Sequence, residues 1–155
     1  MKQVIIVDMD GTTANIDARL KLATDNAPKG KRMNWDIFLN PQTMLDLDTK
    51  NDAVVMVLKA LYDSGKTVIV TSARNERHRD VTTQQLNNWG LSFIDKLYLR
   101  ADGDFRPDEI VKQELLQKIK SDGLEPVLAI DDRTKVVNMW RSLGIPCFQV
   151  RDGDF

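Results

Sequence analysis

The feature that most constrains the fold lies at the start of the chain, where the apolar run Val4-Ile5-Ile6-Val7 leads directly into Asp8-Met9-Asp10-Gly11-Thr12-Thr13. An uninterrupted run of β-branched residues is typical of a strand that is buried on both faces of a parallel sheet. The two aspartates therefore follow the carboxyl end of a buried strand. Ligands of open α/β sheets bind at that edge, so the acidic pair indicates a binding or catalytic site.

Two carboxylates this close together repel each other unless a cation neutralises them. Oxygen ligands of this kind favour Mg²⁺, which usually keeps several waters and is shared with a substrate phosphate. An EF-hand calcium loop is excluded, because a loop opening at Asp8 would need glycine and glutamate where Thr13 and Arg19 stand. The plain structural alternative is an acidic turn that ends a strand and caps a helix.

The length of 155 residues allows one domain with a substantial hydrophobic core. Because the net charge is only −1, any binding of nucleic acid must come from local basic patches. The single cysteine, Cys147, excludes an internal disulfide and a cysteine-rich zinc site. We expect a cytoplasmic enzyme, since the N-terminus runs directly into a strand and no apolar stretch is long enough to span a membrane.

Helical and extended patterns alternate along the rest of the chain, which predicts an α/β fold with a parallel sheet. We predict strands over residues 66–74, 94–100, 127–132 and 147–150, and helices over residues 51–64 and 77–89, from 107 through 119, and from 136 to 143. The predicted buried stripes of three helices are Val54, Val55, Leu58, Leu61 and Tyr62; Ile110, Val111, Leu115 and Ile119; and Val136, Val137, Trp140 and Leu143. His78, the only histidine, lies on a charged predicted helix, so we favour a solvated surface role over a catalytic one. No Ser-His-Asp arrangement can be built around it.

The segment from about residue 15 to residue 50 interrupts this alternation, and we interpret it as a cap inserted after the first strand. It contains a predicted short helix over residues 16–23, a basic turn (Lys29-Gly30-Lys31-Arg32) and an aromatic-rich cluster of Trp35, Ile37, Phe38 and Leu39. We favour a small core of the insertion over a base-stacking platform for the cluster. For the turn we favour a solvated loop over a phosphate clamp.

A P-loop is excluded at Gly65-Lys66-Thr67, because the leading glycine would have to stand at Ala60 and the lysine precedes a strand. This removes a kinase or a nucleotide-hydrolysing enzyme from consideration. A second acidic pair, Asp131-Asp132, ends the predicted strand over residues 127–132. Parallel strands deliver both acidic pairs to the same edge of the sheet, and this coincidence is the strongest functional signal in the sequence.

An ordered set of motifs resembles the haloacid dehalogenase superfamily of phosphotransferases. The set comprises Asp8-Met9-Asp10-Gly11-Thr12, Ser72 at the end of a strand, Lys112 on a later helix, and Asp131-Asp132. The resemblance implies a three-layer, Rossmann-like parallel sheet with a small cap, forming a single domain over residues 1–155.

The resemblance also implies a role for each motif. Asp8 would be the nucleophile that forms an aspartyl-phosphate, and Asp10 would be the general acid and base. Lys112 would neutralise Asp8 and the phosphate together. The remaining implied site residues are Ser72, Arg74 and Thr12 for the substrate phosphate, and Asp8, the Asp10 carbonyl, Asp131 and Asp132 for Mg²⁺.

A closer resemblance is to the 3′-phosphatase domain of bacteriophage polynucleotide kinase-phosphatase. It rests on Ser72-Ala73-Arg74, Pro107-Asp108 through Val111-Lys112, Ala129 to Thr134, Val136-Val137, Met139-Trp140-Arg141, Gly144 and the ending Gly153-Asp154-Phe155. It implies Mg²⁺-dependent removal of the 3′-phosphate from DNA or RNA ends, a phosphate-binding Arg74, a supporting Asp108, and coupling to a separate kinase or ligase in nucleic acid repair. Such an enzyme, if encoded by a phage, would act in the host cytoplasm.

Two other functions stay open at this point. A mononucleotide phosphatase of the same superfamily would use the same motifs with a more closed cap, and the cap region departs from the family pattern. A receiver-like binding switch shares the sheet, the acid cluster and the lysine, but its acid pair stands apart from its phosphate acceptor. For the polynucleotide substrate we predict a basic rim around the site, made of Lys29, Lys31, Arg32, Arg74, Arg77 and Arg79.

Overall fold

The computed structural model describes residues 1–155. In chain order its elements are β1 (Lys2–Val7), β2 (Ala14–Asn15), α1 (Asp17–Asp25), α2 (Trp35–Phe38), α3 (Pro41–Leu47), β3 (Thr49–Lys50), α4 (Asp52–Asp63), β4 (Val68–Asn75), a 3-10 helix (Glu76–His78), α5 (Arg79–Asn88), β5 (Leu97–Arg100), α6 (Asp108–Ser121), β6 (Leu124–Asp131), α7 (Thr134–Ser142) and β7 (Cys147–Gln149). No helix is long and apolar enough to cross a membrane.

Five parallel strands form the central sheet in the order β5-β4-β1-β6-β7, with β1 in the middle. The side chains of β1 alternate between the two faces, as strand geometry requires. Ile5 and Val7 pack with α4 and α5 on one face, and Val4 and Ile6 pack with α6 and α7 on the other. The resulting three layers confirm the predicted fold class.

The helices begin and end where the sequence predicts, within two or three residues. The Asn51 side chain accepts a hydrogen bond from the Val54 amide and caps α4, which ends just before Gly65. The prediction of burial is wrong for one residue in each of the three stripes, because Tyr62, Ile110 and Leu143 are each more than 40% exposed. Each lies at the margin of its helical stripe, where the period alone cannot set the width of the buried face.

The predicted cap segment forms a helical unit closed by a two-stranded ribbon. Strands β2 and β3 pair antiparallel and bring the two ends of the segment together, and α1, α2 and α3 lie between them. The basic turn at residues 29–32 is a solvent-exposed loop, as expected.

The structure corrects the prediction that the aromatic cluster is the insertion's own core. Helix α2 contains no buried residue, and Trp35 is 55% exposed. The buried side chains of the insertion are instead Ala14, Arg19, Ala23, Met33, Met44 and Asp48. The interior of the insertion is therefore formed largely by a buried ion pair and two methionines, and not by the aromatic rings that the sequence predicted there.

The prediction for His78 is also wrong, because this side chain is 2% exposed. Its Nε2 lies 2.8 Å from the Leu39 carbonyl oxygen. A carbonyl only accepts, so Nε2 is the donor in this contact. The histidine therefore ties the turn after β4 to the end of α2, a contact between two segments that the sequence does not link.

Candidate active site

Asp8 follows β1 immediately and is buried at the carboxyl edge of the sheet. The Lys112 ammonium, carried by the first turns of α6, donates to Asp8 Oδ1 (2.8 Å) and to Asp131 Oδ2 (2.7 Å). The Thr12 hydroxyl donates to Asp8 Oδ2 (2.9 Å), and the Thr13 hydroxyl donates to the Asp8 carbonyl (2.8 Å). The loop after β1 thus folds back and fixes the carboxylate from which it departs.

Charge in this cluster is unbalanced. Burial raises the pKa of the Asp8 carboxyl well above its usual range, and the nearby Asp131 raises it further, against the lowering effect of Lys112. The pKa of Lys112 is raised, because Asp131 and Asp8 outweigh the effect of its own burial. The single positive charge of Lys112 therefore has to balance two buried carboxylates, Asp8 and Asp131.

Three buried aspartates could hold a metal ion together. Asp8, Asp131 and Asp132 each offer one carboxylate oxygen, and these oxygens lie within 4.8 Å of one another. An all-oxygen set with excess negative charge fits Mg²⁺, which prefers carboxylate and water ligands. The carboxylate of Asp10 lies outside this group, so only its carbonyl remains as the predicted ligand.

Asp10 turns toward two arginines instead. Its Oδ1 accepts from Arg74 Nη2 (2.6 Å) and Nε (3.0 Å), and from Arg19 Nη2 (2.8 Å). Burial raises the pKa of the Asp10 carboxyl, but the charges of Arg74 and Arg19 outweigh it and lower the pKa to about 2. Asp10 is therefore ionised at neutral pH in the free protein.

A wholly buried carboxylate, Asp48, lies behind these arginines. It accepts two hydrogen bonds from Arg19 (2.9 and 3.0 Å), one from Gln85 (3.1 Å) and one from Arg74 (3.3 Å). Arg74 Nη1 donates to Gln85 Oε1 (2.7 Å) and to the Thr82 hydroxyl (3.0 Å). This network joins the insertion, β4 and α5 around Asp10.

The predicted phosphate-binding residues are all at this edge. Ser72 is buried, and its hydroxyl accepts from the Arg74 amide (3.1 Å). Thr12 and Arg74 already donate to the carboxylates of Asp8 and Asp10, so their contact with a substrate phosphate stays a prediction. The predicted basic rim needs correction, because Arg74 is buried in the Asp10 network and Arg79 pairs with Glu76.

The last residues of the chain support Asp132. Arg151 donates to Asp132 Oδ2 from Nε (3.0 Å) and Nη2 (2.9 Å). At Gly153 an added Cβ would lie 1.8 Å from the Asp132 carbonyl oxygen. At Gly11, where φ is +82°, an added Cβ would lie 2.2 Å from Asp132 Oδ2. Both glycines are therefore required by the close packing around this aspartate.

Asp108 lies beside the site rather than in it. Its carboxylate oxygens accept from Arg100 (2.7 Å) and Arg133 (2.9 Å), which connects the end of β5 to the start of α7. The supporting position that the resemblance implied for Asp108 agrees with this geometry.

Sequence reasoning missed four polar residues of the site: Arg19, Asp48, Gln85 and Arg151. All four belong to segments that look like ordinary polar surface. The only available signal was that Arg19 and Asp48 are charged residues at the two ends of an insertion placed over an acidic site. Nothing local to the sequence distinguishes Gln85 or Arg151.

The fold and this arrangement define a phosphatase of the haloacid dehalogenase superfamily, a phosphoric monoester hydrolase. Comparison with known proteins gives the family. Residues 2–155 match the family described as polynucleotide kinase PNKP phosphatase domain, and the chain belongs to it.

Solved structures agree with this assignment. A chain of a Pnkp1/Rnl/Hen1 complex is 32% identical with a TM-score of 0.78; the match covers all of the present chain and 48% of the other. The class C acid phosphatase from Bacillus anthracis is 18% identical with a TM-score of 0.65 over 87% of this chain and 53% of the other. A haloacid dehalogenase-like hydrolase from Streptococcus pneumoniae is 15% identical with a TM-score of 0.64 over 96% and 84%.

These matches carry different weight. The two structures below 25% identity show the fold alone. The present chain spans about half the length of the more similar relative.

Proposed function

We propose that residues 1–155 form a single phosphatase domain, with a cap at about residues 15–50, that removes the 3′-phosphate from polynucleotide ends in a Mg²⁺-dependent reaction. The observation that carries the proposal is the position of Asp8. It lies buried at the end of the central strand, held by Lys112 and Thr12, within reach of Asp131 and Asp132. A carboxylate fixed in this way is suited to attack phosphorus in line.

The first chemical step forms a bond between an Asp8 oxygen and phosphorus and breaks the bond from phosphorus to the 3′-oxygen. Asp10 would give a proton to the leaving oxygen and, in the second step, take one from the water that hydrolyses the aspartyl-phosphate. The second role requires an ionised carboxylate, and the lowered pKa of Asp10 keeps that group ionised in the free protein. The first role requires a protonated Asp10. An arriving phosphate would compete for Arg74 and Arg19, and this would reduce the extent to which they lower the pKa of the Asp10 carboxyl.

The metal would be held by Asp8, Asp131 and Asp132, with the Asp10 carbonyl as a further ligand. Mg²⁺ bound there would supply the positive charge that screens the nucleophile from the phosphate. Lys112 would balance the charge of Asp8 and of the transferred phosphoryl group. Ser72, Thr12 and Arg74 would orient the phosphate oxygens.

Two findings support the polynucleotide end as substrate. The family is defined by a phosphatase domain of polynucleotide kinase. A related chain, 32% identical, belongs to an assembly described as an RNA repair complex. We therefore include in the proposal that this domain works together with a separate kinase or ligase in nucleic acid repair.

The test compares an oligonucleotide 3′-phosphate, a 3′-mononucleotide and a small aryl phosphate as substrates, with and without Mg²⁺. We expect activity to disappear with a chelator and kcat/KM to be highest for the oligonucleotide. The advantage should shrink as salt rises, since each phosphate contact contributes a logarithmic slope of about −0.7 on single strands. Reversing the charges of Lys31 and Arg32, which are exposed in the cap loop, should reduce that slope.

Two results would contradict the proposal. Full activity in chelator would refute the metal requirement. A preference for the mononucleotide at every salt concentration would instead favour the mononucleotide phosphatase.

A further inference from the structure

An exposed tryptophan lies beside the candidate active site with no structural role that explains it. Trp35 opens α2, is 55% exposed, and makes one edge-to-face contact with Phe38 at a centroid distance of 5.7 Å. A single aromatic contact leaves at least one flat face of the indole without an aromatic partner. An aromatic side chain with an exposed face offers a large, flat and amphipathic surface on which a planar ligand can stack.

Trp35 forms one wall of a depression between the cap and the core. The other lining residues are Asp36, Leu39, Asn40, Pro41, Arg77 and His78. The depression measures about 370 Å³, within the range of roughly 300–1,000 Å³ typical of ligand sites. Its charges, one aspartate and one arginine, balance. The lining therefore has no net charge and can accept an uncharged aromatic group.

Consecutive contacts connect this depression to the chemistry. Phe38, which touches Trp35, lies under the Arg19 guanidinium at 4.6 Å from the ring centroid to Cζ. The same guanidinium donates to the Phe38 carbonyl (3.0 Å) and to Asp10 (2.8 Å). Phe38 and Arg19 therefore connect Trp35 to the proposed acid and base through consecutive contacts.

Two lining residues have unused polar groups. Arg77 forms no ion pair, although neighbouring Arg79 does. His78 is buried and its Nδ1 has no hydrogen-bond partner. A buried polar atom without a partner is rare in folded proteins, and a bound ligand, water or ion is one explanation for it. The His78 Nδ1 atom could accept a hydrogen bond from a ligand, and the exposed Arg77 guanidinium is free to contact an anion.

We propose that this depression binds the 3′-terminal nucleoside of the substrate, with its base stacked on Trp35 and Arg77 directed to the phosphate on its 5′ side. The inference rests on the proposed function and adds to it the residue that recognises the nucleotide. Stacking on an indole accepts any base, so the site would select for a nucleotide end without reading its sequence.

The experiment uses two oligonucleotide 3′-phosphates that differ only in the terminal nucleotide, one with a base and one with an abasic tetrahydrofuran. For the wild-type protein we expect kcat/KM to favour the base by roughly 5- to 150-fold, the range that one stacked base provides. Trp35→Ala should bring that ratio to within about twofold of one, and Trp35→Phe should keep most of it.

Tyr62→Ala is the matched control. Tyr62 is 50% exposed and also touches one aromatic ring, but it lies at the end of α4, at the opposite edge of the sheet. Its variant should keep the wild-type ratio. Arg77→Ala should weaken binding of both oligonucleotides and lower the salt slope without changing the ratio.

Equal use of the two oligonucleotides by the wild type, or a base preference that survives Trp35→Ala, would overturn the inference while leaving the proposed function intact. If the wild type hydrolyses a small aryl phosphate but neither oligonucleotide, the proposed function fails and the inference fails with it. A direct readout is quenching of tryptophan fluorescence when the base-bearing oligonucleotide is added to Asp8→Asn, which should be absent in Asp8→Asn/Trp35→Ala.

Discussion

Replacing Arg19 with alanine should destabilise this protein more than any surface change in the same helix. The Arg19 side chain is 0% exposed and forms a two-point ion pair with Asp48, whose side chain is also 0% exposed. It also bonds Asp10 and the Phe38 carbonyl. The substitution leaves the Asp48 carboxylate buried without its principal partner.

Removing one partner of a buried ion pair costs about 3–5 kcal/mol. Asp48 keeps weaker contacts with Arg74 (3.3 Å) and Gln85 (3.1 Å), which places the expected loss at the lower end, about 3 kcal/mol. For a chain of 155 residues this lowers Tm by roughly 6–12 °C. Since Arg19 also positions Asp10, kcat/KM should fall by roughly tenfold or more.

The assay is urea unfolding at neutral pH with chelator present, so that metal binding does not contribute. Lys21→Ala is the matched control, because Lys21 lies on the same helix and pairs only with exposed Asp25. It should cost less than about 0.5 kcal/mol. In a double-mutant cycle, Arg19→Ala and Asp48→Ala should show a coupling of roughly 1–3 kcal/mol.

A loss for Arg19→Ala within about 1 kcal/mol of the Lys21→Ala value would refute this reasoning. It would mean that the insertion is held by apolar contacts and that the ion pair contributes little. An additive double mutant would lead to the same conclusion.

Further predictions concern the reaction and stability at high pH. Asp8→Asn should abolish turnover, since it removes the nucleophile; activity within tenfold of wild type would exclude that role. Asp10→Asn should still form an aspartyl-phosphate from an aryl phosphate but hydrolyse it slowly, which trapping of a phosphorylated protein would detect; equal loss of rate on aryl and oligonucleotide phosphates, with nothing trapped, would argue against it. Burial and a hydrogen bond to Asp122 raise the pKa of Tyr98 from 10 to about 12, so its contribution to stability is complete below pH 10 and is lost as pH rises toward 12. Tyr98→Phe should flatten the pH dependence of the unfolding free energy in that interval, and an unchanged slope would show that other groups cause it.

The sequence was sufficient for the architecture and for the acidic centre. Alternation of apolar runs and helical stripes predicts the three layers, because burial on two faces or on one stripe is a local property of composition and period. The carboxyl ends of β1 and β6 bring Asp8 and Asp132 to one edge as soon as both strands are parallel. The cluster therefore follows from topology that the pattern already implies.

The tertiary structure alone decided which polar residues leave solvent. Arg19 looks like any arginine of a polar helix, yet it is buried because Asp48, 29 residues further on, and Asp10 meet it across the cap. His78 is buried against a carbonyl 39 residues away. Trp35 is exposed although it belongs to a mainly apolar segment with Ile37, Phe38 and Leu39.

The physical reason is the same in each case. A strand or helix is specified by interactions within a few residues, whereas burial of a charge depends on a partner that only the folded chain supplies. The sequence by itself determined the fold, the acidic cluster and the class of chemistry. The folded structure decided how the cap is anchored to the core and which of its side chains contact Asp10.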